Sequence, residues 1–208
     1  MEENNKTGLR IKGLRGKFIP LILIPLILTP LIAKADIPIL ARKLKPLVIR
    51  EVRYIWGKEQ DVSYFMAQIH QESGWEMKVE SIKGAKGLAQ FMPSTAKWIS
   101  ELYPAALGEN NPFDPYWAIR ALVRYDRWLY ERAYFAREEI ERWGFLLSGY
   151  NGGWRWVIRD RMYAEEKGAD KNKWFGHVER HSKRNRVAFK ENRNYPRAIL
   201  FKWRRLYE

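Results

Sequence analysis

From Asp36 onward, apolar residues recur at helical spacing, and this periodicity constrains the fold more than any other feature. Few stretches show the period-two alternation that is typical of strands, and loops rich in Gly, Pro and Asn separate the periodic stretches. The pattern predicts a mainly α fold. The expected helices lie near residues 40–55, 61–73, 94–103, 115–136, 138–150 and 195–206. Residues 155–194 are densely charged, and the pattern places only fragments of structure there.

Cap residues mark the start of two of these helices. Asp114 followed by Pro115 is the preferred pair for an N-cap and a first helical position. Ser94, which follows Pro93, is expected to cap the helix near 94–103. The apolar face of the helix after Pro115 consists of Ala118, Ala121, Leu122, Tyr125 and Leu129.

The helix near 61–73 places a carboxylate where a core residue belongs. Its apolar stripe consists of Val62, Phe65, Met66 and Ile69. Glu72 continues this stripe at helical spacing. Gly74 ends the helix, so Glu72 lies in the last turn, where the helix dipole disfavours negative charge. Both effects favour the protonated form of Glu72.

The chain is strongly basic, with 38 Lys and Arg against 24 Asp and Glu and a net charge of +14. This charge predicts an anionic polymer or surface as the partner, and nucleic acid, anionic lipid and the carboxylate-bearing bacterial cell wall all qualify. The chain also contains 10 Trp, 11 Tyr and 9 Phe. Most aromatic residues fill cores, but a groove that stacks sugar rings would use them too, because a pyranose face is apolar.

The chain has no cysteine, which excludes a disulfide framework, a thiolate nucleophile and a Cys-based metal site. The three histidines, His70, His177 and His181, are too scattered to predict a zinc site. His177 and His181 are four residues apart, but the run around them lacks the HExxH pattern and is typical of solvated surface. We therefore expect no metal and no cofactor.

The N-terminal residues 1–35 have the three parts of a secretory signal peptide. Residues 1–17 are basic, residues 18–32 are an uncharged apolar run, and residues 33–35 form an A-x-A site. The apolar run is shorter than the roughly 20 residues that span a bilayer as a helix. We therefore expect export to the periplasm and a mature domain of residues 36–208. The alternative is an uncleaved anchor that associates the domain with the membrane.

Three further segments carry residues that bring the backbone close to a ligand. Residues 81–90 place two glycines three apart, residues 148–153 place a tyrosine and an amide before a double glycine, and residues 191–196 carry another tyrosine. Taken singly, these segments are typical of a turn, a helix C-cap and the start of the last helix. Their order along the chain after Glu72 is the more specific signal.

Over residues 58–204 this combination resembles the soluble lytic transglycosylase family of the lysozyme-like superfamily. The matching motifs are Glu72-Ser73, Gly87-Leu88-x-Gln90, Tyr150-Asn151-Gly152 and Glu191-x-Arg193-x-Tyr195. The chain departs from the family pattern at Ala89, Gly149, Asn192 and Pro196. The resemblance implies a helical, goose-type lysozyme fold and a monomer that cleaves peptidoglycan glycan strands. Because export would deliver the domain to the far side of the membrane, we do not expect nucleic acid as a partner. It does not explain the basic segment before Glu191.

The resemblance also implies roles for six residues. Glu72 would first act as the acid that protonates the leaving oxygen, and then as the base on the muramic acid C6 hydroxyl, which closes a 1,6-anhydro ring. Ser73 and Gln90 would bind substrate or position Glu72. Tyr150 and Asn151 would hold the N-acetyl and glycan groups, and Tyr195 would hydrogen-bond near Glu72.

Two other functions remain open at this point. A hydrolytic lysozyme or endolysin on the same scaffold would need a second carboxylate to activate water, and Asp61, Glu76 and Glu80 are near Glu72 in sequence. A basic module could instead bind an anionic polymer through residues 155–205, but such a module gives Glu72 no task. Housekeeping, phage lysis or entry, and wall opening for secretion would all use this catalytic type.

Overall fold

The computed structural model describes residues 36–208, so the predicted signal peptide lies outside the described residues. The described part contains α1 (Ile39–Trp56), α2 (Ser63–Ser73), α3 (Pro93–Leu102), α4 (Pro104–Leu107), α5 (Pro115–Arg132), α6 (Glu139–Gly152), α7 (Trp154–Glu166) and α8 (Arg186–Arg197). A 3-10 turn, Val178–Arg180, precedes α8, and α8 continues as a π-helical segment, Ala198–Trp203, and a final 3-10 turn, Arg204–Leu206. No strand occurs between residues 36 and 208, which confirms the mainly α prediction.

Of the two predicted N-caps, one is confirmed and one is wrong. The Asp114 side chain caps α5 by accepting hydrogen bonds from the backbone N–H groups of Tyr116 and Trp117, at 2.6 and 3.0 Å. The Ser94 prediction was wrong. Met92 is the N-cap of α3 and makes no side-chain cap bond, and Pro93 is its first residue. Proline suits that first position because it has no N–H to satisfy, which leaves Ser94 inside the helix.

The last helix begins well before the predicted position 195. Asn185 caps α8 by accepting from the N–H of Ala188 at 2.9 Å. The segment around Tyr195 therefore lies inside α8 and does not open it. The α-helical pattern changes to π-helical just after Pro196, whose ring nitrogen has no N–H to donate.

The core lies between α1, α2, α5 and α6 and surrounds Trp143, which is fully buried. Tyr64 stacks on Trp143 with ring centroids 4.3 Å apart, and Trp56 stacks on it at 5.4 Å. Most of the aromatic surplus therefore fills the core, as such residues usually do.

The basic segment after Gly153 folds back onto α6. Trp174 is fully buried, and a Cβ atom built on Gly144 would lie only 2.5 Å from the Trp174 ring. Glu141 accepts hydrogen bonds from the backbone N–H groups of Trp174 and Phe175 at 2.5 and 2.9 Å. The segment is thus an ordered part of the domain, and it packs behind the helix that carries Tyr150.

Within residues 36–208, none of the helices combines the length and the hydropathy that crossing a bilayer requires.

Candidate active site

Glu72 lines an open cleft of about 530 Å³. The cleft walls come from the end of α2, from residues 81–95, and from α5, α6 and α8, and they include the predicted Gln90, Tyr150 and Asn151. A second cavity of about 310 Å³ is lined by Glu72, Asn151 and Tyr195. Glu72, Asn151 and Glu191 line both cavities, so Glu72 adjoins open space on two sides.

The end of α2 places this carboxyl. Gly74 adopts the left-handed conformation, with φ of 59°, and its N–H donates to the carbonyl of His70 at 2.9 Å. This cap stops the helix two residues after Glu72. The Tyr195 hydroxyl, from α8, donates to Glu72 Oε1. Glu72 is half-buried, and among the described residues no donor bonds to its second oxygen, Oε2.

Burial raises the pKa of Glu72 from its ordinary 4.5 to about 8. The negative charge of Glu191 contributes to the rise, and the hydrogen bond from Tyr195 opposes it. The carboxyl is therefore protonated at neutral pH. A protonated carboxyl beside open space is what general acid catalysis requires, as predicted from the apolar stripe of α2.

Tyr150 connects the two sides of the site. Its hydroxyl donates to the carbonyl of Ala89 at 2.7 Å. Its ring is nearly parallel to that of Tyr195, at an interplanar angle of 7° and a centroid distance of 6.4 Å. The hydroxyl thus holds the loop wall, and burial raises the Tyr150 pKa well above its ordinary value.

Three residues of the loop 81–90 have positive φ, namely Gly84, Gly87 and Gln90. Gly87 has φ of 70°, and a Cβ atom there would lie 1.8 Å from the carbonyl oxygen of Pro112. Gln90 has φ of 46°, and its amide Nε2 donates to the carbonyls of Gly87 at 2.9 Å and Val79 at 3.2 Å. Gln90 therefore shapes the wall of the cleft and also lines it.

Ser73 stands apart from the other predicted residues. Its hydroxyl donates to the carbonyl of Ile69 at 3.3 Å and accepts from the N–H of Trp75 at 3.1 Å. Among the described residues that line the two cavities beside Glu72, Ser73 is absent. Its contacts support the end of α2, which carries Glu72.

Asn192 holds the site together, and sequence reasoning noted it only as a departure. It is buried, its Nδ2 donates to the Ser148 carbonyl at 2.9 Å and to Asn151 Oδ1 at 3.0 Å, and its Oδ1 accepts from the Ser148 hydroxyl at 2.8 Å. These bonds tie α8 to α6 and orient the Asn151 side chain. In the sequence, its position between Glu191 and Arg193 in the motif was the one indication that Asn192 belongs to the site.

Arg193 anchors α8 to the basic segment. Its guanidinium is buried and donates to Asp160 Oδ2 at 2.7 Å and to the Glu179 carbonyl at 2.9 Å. Asp160 is also buried, lies 3.6 Å from the guanidinium of Arg184, and accepts from the Ser182 hydroxyl at 2.6 Å. The segment that the motifs left unexplained thus supplies the acceptors that position α8.

Of the carboxylates that could accompany Glu72, the one that lines the cleft is Glu191. Asp61, proposed from sequence proximity, instead pairs with Arg204 at 2.9 Å, and Glu76 and Glu80 are absent from the described lining. Asp126 is fully buried and accepts from Gln68 Nε2 at 3.2 Å, and burial raises its pKa well above the ordinary value. Asp126 therefore cannot reach a ligand.

His177 and His181, predicted to lie on the solvated surface, are partly exposed. His177 Nδ1 accepts from the N–H of Asp170 at 3.1 Å, and His181 Nδ1 bonds to the carbonyl of His177 at 2.8 Å. Across the part of the chain that the structure describes, no cluster of three or more His, Asp or Glu side chains could hold a metal ion.

Comparison with known proteins agrees with this geometry. The profile of the transglycosylase SLT domain matches residues 52–174. The soluble lytic murein transglycosylase of Escherichia coli K12 is 36% identical over 103 residues, which are 49% of this chain and 15% of that protein. The membrane-bound lytic murein transglycosylase F of Pseudomonas fluorescens is 32% identical over 105 residues, 50% of this chain and 20% of the relative. The chain thus matches no more than about a fifth of the length of these curated relatives.

Solved structures show the same fold. The 70-kDa soluble lytic transglycosylase from Escherichia coli aligns with a TM-score of 0.52 at 27% identity, over 74% of this chain and 22% of that one. A complex of the 70-kDa soluble lytic transglycosylase with bulgecin A aligns with a TM-score of 0.53 at 28% identity, over 78% and 24% of the two chains. The lysozyme-like helical fold predicted from the motifs is confirmed.

Proposed function

The chain belongs to the transglycosylase SLT family, and on that premise we propose that residues 36–208 form a lytic transglycosylase of peptidoglycan. The bond cleaved is the β-1,4 link between N-acetylmuramic acid and N-acetylglucosamine. The observation that carries this proposal is the environment of the Glu72 carboxyl. Its pKa is raised, it accepts a hydrogen bond from the Tyr195 hydroxyl, and Glu72 lines two cavities.

In the first step Glu72 donates its proton to the glycosidic oxygen, and the bond from that oxygen to C1 of the muramic acid breaks. The N-acetyl group of the same sugar stabilises the electron-poor C1 centre, so no second carboxylate is needed. Tyr195 holds Oε1, and no donor among residues 36–208 binds Oε2, so Oε2 is the oxygen that delivers the proton.

In the second step the Glu72 carboxylate takes the proton from the C6 hydroxyl of the muramic acid. The C6 oxygen then bonds to C1 and closes the 1,6-anhydro ring. The proton returns to Glu72 and no water is consumed. Burial favours the neutral form of Glu72 at the start and end of this cycle, which makes the carboxylate a strong enough base for the second step.

The other predicted residues support this chemistry in two ways. We propose that Asn151, oriented by Asn192, contacts the glycan beside the cleaved bond, and that Gln90 contacts it from the loop wall. The Tyr150 ring would lie against the sugar and its N-acetyl group, while its hydroxyl holds the loop. Ser73 would act indirectly, by supporting the end of α2.

Mass spectrometry of the muropeptides that residues 36–208 release from purified peptidoglycan tests the proposal. We expect anhydromuramyl products from the wild type and a loss of about 10²–10⁴-fold in the Glu72→Gln variant, which keeps the shape of the side chain. Reducing-end products that disappear in the variant would identify a hydrolase and direct attention to Glu191. Binding without products from either protein would support the anionic-polymer module.

We infer further that residues 1–35 direct export, so that the catalytic domain acts in the periplasm. The three-part composition of the segment supports this inference. Sequencing of the mature N-terminus should find Asp36 first. Retention of the apolar run would instead support a membrane-anchored enzyme.

A further inference from the structure

One positively charged side chain lines the described part of the cleft beside Glu72. Among the described residues that line it, Lys83 is the sole Lys or Arg, although the chain as a whole carries a net charge of +14. Its Nζ lies 3.3 Å from Glu191 Oε2, which follows 108 residues later on α8. The ion pair therefore joins the loop wall to the α8 wall, beside the catalytic carboxyl.

This ion pair leaves most of the hydrogen-bonding capacity of Lys83 unused. An ammonium group has three donors, and Glu191 accepts one of them. The side chains of Lys83 and Glu191 are 76% and 51% exposed, so solvent screens their attraction. Lys83 can thus bond a second carboxylate in the cleft while it keeps Glu191.

An anionic ligand can bind favourably in the cleft only when the positive charge of Lys83 offsets the negative charge of Glu191. Glu191 is the other charged group beside Glu72, and without Lys83 its carboxylate would repel an anionic strand. The sugar rings of a peptidoglycan strand are neutral, and its carboxylates lie on the lactyl substituent of every second sugar or, where a peptide is attached there, on that peptide. A cation on the loop wall is in a position to meet these substituents.

We propose that Lys83 binds a carboxylate carried by the muramyl substituents of the substrate strand and so makes the cleft selective for carboxylate-bearing glycan. The proposal rests on the proposed function for its substrate. It assigns Lys83 a role in substrate selection, and the proton transfers remain with Glu72.

Binding is measured in the Glu72→Gln background so that the strands stay intact. The two ligands are soluble peptidoglycan strands and the same strands with their carboxylates converted to methylamides. We expect Lys83→Met to weaken binding of the native strands about fivefold, the upper range for an exposed ion pair. Binding of the amidated strands should not change, and Lys83→Arg should restore most of the loss.

Lys97→Met is the matched control. Lys97 is 75% exposed and also pairs with a glutamate, Glu101 at 3.8 Å, but it does not line the cleft. Equal weakening for native and amidated strands, equal weakening by Lys97→Met, or no binding of native strands would each overturn the proposal. Failure of the proposed function is seen separately, as a wild-type protein that releases no anhydromuramyl products.

Discussion

The two walls that flank Glu72 are held by different physical means. The α8 wall is anchored from behind by buried charge, where Arg193 contacts Asp160 in the interior. The loop wall of residues 81–90 is held by its own backbone, by the positive φ of Gly87 and by the amide of Gln90. The comparison indicates a division of tasks. The α8 wall places Tyr195 on the Glu72 carboxyl, and the loop wall carries Lys83, the residue proposed to bind a substrate carboxylate.

Removing the anchor of the α8 wall should lower the free energy of unfolding more than disturbing the loop wall. Asp160→Ala leaves Arg193 and Arg184 buried without their carboxylate, so we expect a loss of about 3–5 kcal/mol in the free energy of unfolding. Denaturant unfolding measures it. Glu165→Ala is the matched control, because Glu165 pairs with Lys171 at 2.6 Å on the surface and should cost less than about 1 kcal/mol. Similar costs for the two variants would contradict the proposed anchoring.

A substitution at Gly87 in the loop wall should have the second-largest effect. Gly87→Ala adds left-handed strain and a collision with the Pro112 backbone, so we expect a loss of about 2–4 kcal/mol and a displaced loop with reduced activity. Gly84→Ala isolates the strain, because Gly84 has φ of 83° but open space around it, and it should cost about 1–2 kcal/mol. Equal effects would show that the Pro112 contact does not hold the wall.

Loss of the hydrogen bond between the α8 wall and the Glu72 carboxyl should give the smallest effect. Tyr195→Phe removes one hydrogen bond to Glu72, and we expect kcat/KM to fall by an amount equivalent to about 1–3 kcal/mol. Full activity would remove Tyr195 from the site.

The pH profile of the same variant gives a second measurement. The first step of the proposed reaction needs protonated Glu72, so the wild-type rate should be full well below pH 8 and should fall as the pH rises through about 8. The Tyr195 hydrogen bond lowers the Glu72 pKa, so its removal should move this alkaline limb to higher pH. A limb that moves to lower pH would contradict the assigned sign.

Sequence patterns predicted the elements whose ends are decided locally. Gly74 ended α2 and Asp114 capped α5 because both devices act through hydrogen bonds within a few residues. The start of α8 was missed, since most of the residues between 186 and 194 are charged or polar. The apolar surface that organises this segment is concentrated in single residues such as Trp174, which packs on Gly144.

By itself, the sequence determined the helical class, the family motifs and the unusual place of Glu72, because helical periodicity and capping depend on near neighbours. Only the tertiary structure showed that Asn192 orients Asn151, that Asp160 holds Arg193, and that Lys83 meets Glu191 across the cleft. These contacts join residues 33 to 108 positions apart. Their formation depends on how the helices pack, which no local pattern of residues specifies.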